Sequence, residues 1–145
     1  MIEIPRIDHW TTPYIGFAWI EYGRGPRAFD CWGLMRCVYE RELKIDVPSL
    51  AGAYADPAER AEVDRLRRED PALSVWRDVP LDELRPFDVL LFGGAYLHVG
   101  VAIDRTRMLH IDRGRTSEVA RLDRTRWRLA SATVARHRNM ETMAA

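Results

Sequence analysis

Two hydrophobic periods divide the chain. In the first half, apolar residues recur three and four positions apart; after residue 87 they come in short runs parted by turn residues. The clearest helical pattern spans about Cys31 to Leu43. Leu34, Met35, Val38 and Leu43 share one face, Arg36, Glu40 and Arg41 suit solvent, and Asp30 can cap the first turn. Upstream, "TTPYIGFAWIEYG" predicts a short helix with Thr12 as N-cap, Pro13 in the first turn and Gly23 as its stop, followed by a loop over Gly23 to Pro26. "VPSLAGAYADP" predicts a loop. From Pro57 to about residue 70 a charged helix with Val63 and Leu66 as its apolar anchors predicts a peripheral insertion.

The second half predicts strands at "DVLLF" (88–92), "LHVGVAI" (97–103), "RMLHI" (107–111) and "SEVARL" (117–122), with a last one near Ala132 to Arg136. Gly-Gly, Asp-Arg and Arg-Gly-Arg turns separate the first four. The order predicts an α+β domain in which N-terminal helices pack on a central antiparallel meander. One domain over residues 1–138 and a flexible tail over 139–145 complete the expectation. No internal repeat or low-complexity stretch interrupts it.

Composition narrows the class. At 145 residues the chain can bury a core without disulfides or a metal, and 47% hydrophobic with 30% charged residues is ordinary for a globular domain. Basic and acidic residues balance at 22 each, so no bulk field favours nucleic acid or an anionic membrane. Lys44 is the only lysine, a bias from which no function follows. No run is long and apolar enough for a membrane span. "MIEIPRIDHW" lacks the basic start and apolar run of a signal peptide, which predicts a protein made in the cytoplasm and not exported by the usual route. Cys31 and Cys37 lie about 240° apart around a helix and are not expected to pair.

The candidate chemistry begins at Cys31, where the loop "GRGPRAFD" meets the helix. A thiol at a helix N-terminus sits among unpaired N–H groups and the positive end of the dipole, which predicts a pKa below its free value of about 8.5. Alone, Cys31 reads better as a core thiol than as a nucleophile, and Cys37, deeper in the helix, also reads as core. A nucleophile needs a base. In "LHVGVAI" alternation puts His98, Gly100 and Ala102 on one face, and the small residues leave room beside the imidazole. His110 on the next strand becomes a cross-strand or diagonal neighbour if the two share a face, and can then hold His98 in its working tautomer. Each histidine alone also reads as an ordinary strand residue; His9 and His137 stand outside this convergence.

Together, "FDCWGLMRCVY", "LRPFDVLLF", "HVGVAI" and "MLHID" resemble the NlpC-type cell-wall peptidases, which are papain-like cysteine endopeptidases. The resemblance runs from about residue 12 to 136. It implies the NlpC fold, with Cys31 as nucleophile, His98 as general base and His110 as the residue orienting it. It also implies an aromatic near the oxyanion, for which Trp19 has the spacing and Tyr22 is close by. Asp88 matches a structural aspartate at a strand start. Two departures stand out: Trp32 replaces the usual Ser after the Cys, which predicts an altered substrate cleft, and Phe87 replaces the Gly of Pro-Gly-Asp. The resemblance implies amide hydrolysis in peptidoglycan stem peptides, at the γ-D-glutamyl to diamino-acid link, with no cofactor or metal. "DCWGL" and the "GRGP" loop look most like the branch found in phage tails and gene-transfer particles. Tail-tip or hub proteins are the partners expected of that branch, and opening of the wall during DNA delivery is its role.

Three rival readings remain at this level. One is a structural tail-tip subunit with a vestigial site. Another is a zinc site built on Cys31, His98 and His110, although no ligand pair stands at short spacing. The third treats "RGRTSEVARLDRTRWR" as a basic binding strip; its interleaved Asp and Glu suit a solvated sheet edge better.

Overall fold

The computed structural model describes residues 9–49, 76–93, 98–123 and 126–143. The expected insertion helix at 57–70, most of the loop before it and part of the Gly-Gly turn lie outside them. Two short strands, β1 (Ala18–Trp19) and β2 (Ala28–Phe29), pair in parallel ahead of helix α1 (Cys31–Val38). The helix continues in a wider π turn, Tyr39–Leu43, and closes where Lys44 adopts a left-handed conformation. Six further strands form one sheet: β3 (Trp76–Val79), β4 (Val89–Phe92), β5 (His98–Ala102), β6 (Arg107–His110), β7 (Glu118–Arg121) and β8 (Ala132–His137), followed by helix α2 (Arg138–Met143).

All its pairings are antiparallel, in the spatial order β3-β8-β4-β5-β6-β7. The meander expected from the sequence is thus real over β4 to β7. The last strand does not extend it: β8 returns to lie between β3 and β4. β3 was not expected at all. It has an exposed central pair, Arg77 and Asp78, and its pairing partner is some sixty residues away, so no local period marks it.

The N-terminal expectation needs a larger correction. Only a 3-10 turn, Thr12–Tyr14, forms where a helix was expected. Ile15 is extended, Gly16 takes φ +90°, and the chain then bonds to Ser117 through the Gly16 and Phe17 N–H groups. These tertiary bonds replace the i to i−4 bonds a helix would have supplied. Residues 138–143 depart from the flexible tail in the other direction. They form α2, with Met140 buried against the Tyr39 hydroxyl at 3.4 Å.

Both faces of the sheet are covered. On one, Leu34, Met35 and Val38 of α1 pack against Val89, Val99, Val101 and Leu109. On the other, Leu90, Phe92, Ala102, Met108, Ala120 and Val134 form a second cluster with Leu84 and Leu122. This explains why β5 is buried along its whole length rather than half-exposed. It also fills the space expected above Gly100, where a Cβ would collide with the Met108 sulfur. Among the described residues no helix is long and apolar enough to cross a membrane.

Candidate active site

The loop before α1 is locked onto the helix start. The Asp30 carboxylate accepts from the Gly33 N–H at 2.8 Å and its carbonyl from the Leu34 N–H at 3.0 Å, a capped N-terminus as expected. The Arg24 guanidinium pairs with Asp30 at 2.8 Å and reaches the Ser49 carbonyl at 2.8 Å. Gly33 has a steric role, because a Cβ there would run into the Gly23 carbonyl.

Cys31, the first residue of α1, is half-buried, and the backbone N–H groups of Trp32 and Val99 interact with its sulfur. The thiol therefore meets β5 one residue along from His98. Its acidity runs against the sequence expectation. Burial, followed by the Asp30 carboxylate, pushes the Cys31 thiol up to about 12, and the two N–H groups and Arg24 offset only part of this. The helix end is real, but its cap is an anion beside the sulfur. The free site holds a neutral thiol. Cys37 is half-buried on the same helix, its thiol also raised by burial, and neither cysteine forms a disulfide.

His98 opens β5 and His110 closes β6, and the register of these strands (Val101 opposite Leu109) makes them diagonal neighbours on one face. His98 Nε2 lies 2.8 Å from His110 Nδ1, with the rings nearly perpendicular. The sequence thus located a pair that the fold does bring together. Both rings are buried. Trp127 stacks on His98 at 3.9 Å, tilted by 15°, and the Arg126 guanidinium lies over that indole at 4.4 Å. Arg126 is itself held by Asp112 at 2.7 Å. Burial holds the His98 imidazole well below its usual range, with His110 and Arg126 adding to the effect. His110 is also lowered by burial, although Glu118 and Asp112 oppose it. At neutral pH the pair is uncharged and able to accept a proton.

Trp127 is the residue that sequence reasoning missed. It sits in the Arg-rich stretch read as a solvated edge, which fits the exposed Arg121–Asp123 pair at 2.9 Å but not the indole. The available signal was a lone tryptophan amid charges.

The aromatic candidates separate. Trp19 is half-buried on β1 beneath the Arg113 guanidinium at 5.1 Å. Tyr22 is half-buried and takes a left-handed φ of 59°. Trp32 is turned inward: it is 4% exposed, and its indole N–H donates to the Pro48 carbonyl at 2.9 Å. The side chain beside Cys31 points into the core, since the apolar face of α1 begins there. Asp88 is structural as expected, fully buried and paired with Arg136 at 2.7 Å. Phe87 keeps a left-handed φ of 73° and packs against Trp10 with ring centroids 4.5 Å apart, tilted by 31°. His9 and His137 lie apart from the pair, bonded to Thr11 and Asn139. Among the described residues no three His, Cys, Asp or Glu side chains gather as metal ligands would. The facing nitrogens of His98 and His110 are spent on each other.

The NlpC/P60 family model matches residues 17–136, which takes in Cys31, both histidines and all six strands of the large sheet except the last residue of β8. The chain belongs to the NlpC/P60 family. Its NlpC/P60 fold is similar to that of the NlpC/p60 domain of the peptidoglycan hydrolase SagA, at 21% identity over 87% of this chain and 91% of that one (TM-score 0.59). It is also similar to an NlpC/P60 family protein from Bacillus cereus ATCC 10987 (21% identity, 87% and 37% covered, TM-score 0.62). NlpC2 from Trichomonas vaginalis is a third neighbour (18% identity, 88% and 43% covered, TM-score 0.60). The chain spans less than half the length of the last two. At these identities the likeness is one of fold. No curated protein is significantly similar in sequence.

Proposed function

We propose that this NlpC/P60 domain is a cysteine endopeptidase acting on amide bonds of peptidoglycan stem peptides. The observation that carries the reading is the His98–His110 hydrogen bond at the end of β5 whose backbone meets the Cys31 sulfur. Because Nε2 of His98 is engaged by His110, Nδ1 is the nitrogen available to the thiol. Since the free thiol is neutral, attack is coupled to proton transfer: His98 Nδ1 takes the Cys31 proton as sulfur adds to the carbonyl carbon. The Cys31 backbone N–H, at the start of α1, serves the developing oxyanion, a donor worth roughly 3 to 4 kcal/mol in such sites. The imidazolium returns its proton to the leaving amine, giving a thioester. Water then attacks, His98 takes its proton, and collapse releases the carboxylate and restores the thiol.

The finer reading places cleavage at the γ-D-glutamyl to diamino-acid link, in a phage-tail or gene-transfer-particle component that opens the wall during DNA delivery. It is supported by the resemblance of "DCWGL" and the preceding "GRGP" loop to that branch. One observation favours the second reading, a structural tail-tip subunit: the Cys31 thiol is pushed up to about 12. Digestion of purified sacculi by wild type and Cys31→Ala, with mass spectrometry of the released muropeptides, separates the two. Release by wild type alone supports the enzyme, and the new termini identify the bond. No release by either protein, with both supporting particle assembly, overturns it.

A further inference from the structure

His110 Nε2 is buried and has no hydrogen-bond partner among the described residues, although the ring's other nitrogen is fully engaged. Glu118 Oε1 lies 3.5 Å from it, on β7 directly opposite His110 in the strand register. The side chain of Glu118 is about half exposed (49%), while that of His110 is 1% exposed. We propose that Glu118 is a positioning residue for the histidine pair: its carboxylate keeps the proton on His110 Nε2 and thereby sets the direction of the whole chain of hydrogen bonds. The proposal rests on the cysteine-peptidase reading for its kinetic consequences, but not for its tautomer chemistry.

The direction follows from counting protons. Two neutral imidazoles that share one hydrogen bond have two possible polarities. In one, His110 carries its proton on Nδ1 and donates to His98. Its buried Nε2 lone pair then faces the Glu118 carboxylate, acceptor against acceptor, and His98 carries its proton on Nδ1, with no lone pair left for the thiol. In the other, His110 carries its proton on Nε2, toward Glu118. His110 Nδ1 then accepts from His98 Nε2–H, and the His98 lone pair is on Nδ1. Only this second polarity makes His98 a base toward Cys31. When His98 takes the thiol proton, the new positive charge lies one ring from the carboxylate; no proton needs to reach Glu118. At 3.5 Å the contact is longer than an ordinary hydrogen bond, as contacts supporting catalysis often are before substrate closes the site. The other charged groups around the pair are Asp112, Arg115 and Arg126. Asp112 is committed to Arg126, which leaves Glu118 as the carboxylate facing Nε2.

Two variants separate partner from charge. Glu118→Ala removes both, and Glu118→Gln keeps an acceptor while removing the charge. Long-range proton–nitrogen NMR of the imidazoles reads the tautomers directly. In wild type at neutral pH both His98 and His110 are expected in the Nε2–H form; in Glu118→Ala both shift toward Nδ1–H. In kinetics on a defined muropeptide, Glu118→Ala is expected to lose roughly ten- to a hundred-fold in kcat with KM unchanged, the scale known for carboxylates that orient metal-bound imidazoles. Glu118→Gln is expected to move the acid limb of kcat/KM to lower pH, and Glu118→Asp to restore part of kcat. Arg121→Gln, on the same strand, leaves tautomers and profile in place. Wild-type tautomers in Glu118→Ala overturn the proposal, as does an unmoved acid limb in Glu118→Gln. If wild type cleaves nothing, the peptidase reading fails while the NMR arm still decides the role of Glu118.

Discussion

At the residue scale, the same physics acts on both sides of the proposed proton transfer. Burial disfavours the charged form of each group, so it raises Cys31 and lowers His98, and the resting site is neutral on both sides. Cys31, His98 and His110 were legible in the sequence because their types and spacing reflect local rules: a helix start and two neighbouring strands. The acidity of Cys31 was not legible. It depends on the packing around the sulfur and on the cap carboxylate, and only the folded chain sets those. Two substitutions test the balance. Asp30→Asn retains an oxygen for the Gly33 N–H, removes the anion beside the sulfur and leaves Arg24 in place, so the thiolate gains. Iodoacetamide alkylation of Cys31 at pH 8, followed by peptide mass spectrometry, is expected to speed up several-fold, by roughly tenfold per unit of pKa lost; an unchanged or slower rate rejects the account. Trp127→Ala admits water to the His98 imidazole, so its pKa rises toward about 6.5. The acid limb of kcat/KM is expected to move up in pH, opposite to its movement in Glu118→Gln. A shared direction in the two variants excludes desolvation by Trp127 as the cause.

At the scale of elements, alternation and turn residues were enough for β4 to β7, and apolar spacing with the Asp30 cap was enough for α1. What the sequence could not convey was pairing over distance. β3 and β8 find each other across the chain, and the stretch after Tyr14 gives up helix for bonds to Ser117. The missed role of Trp127 has the same origin, since it acquires meaning only from the ring beneath it. Gly33 shows how an element's own preference can be overruled. In an isolated helix, Gly→Ala stabilises by about 1 kcal/mol. Here the added Cβ meets the Gly23 backbone carbonyl, which Arg24 also holds and which cannot retreat as a flexible side chain would. Gly33→Ala is therefore expected to destabilise, by about 1 to 3 kcal/mol as for other overpacked sites, with a lower urea midpoint at unchanged m-value. A raised midpoint would show that the loop yields, and that the helix start is not clamped as described.

At the scale of the whole molecule, a sheet covered on both faces has to bury polar groups, and it does so in two ways. Asp88 and Arg136 enter as a pair, joining the residue before β4 to β8 with two hydrogen bonds of 2.7 and 2.8 Å. Histidines enter uncharged. Burial lowers His98, His110 and His137 alike, the last packed against Trp76 and accepting from the Asn139 N–H at 3.1 Å. The direction of the linkage follows. In the unfolded chain these imidazoles gain protons as pH falls through about 6.5, while in the folded chain they do so only at lower pH. Between those values the unfolded state binds more protons, so stability falls with pH. The contribution is complete above about pH 6.5 and is lost progressively below it, toward the folded-state values. Each group adds a limiting slope of about 1.4 kcal/mol per pH unit. Urea unfolding at a series of pH values from 8 to 5 is expected to show a plateau above 7 and a steepening decline below 6.5. His137→Gln removes one group from the decline without touching the proposed active site, so its slope is shallower while the acid limb of kcat/KM stays in place. A slope unchanged in that variant assigns the acid sensitivity to the His98–His110 pair alone; a flat stability curve down to pH 5 rejects the neutral-histidine description altogether.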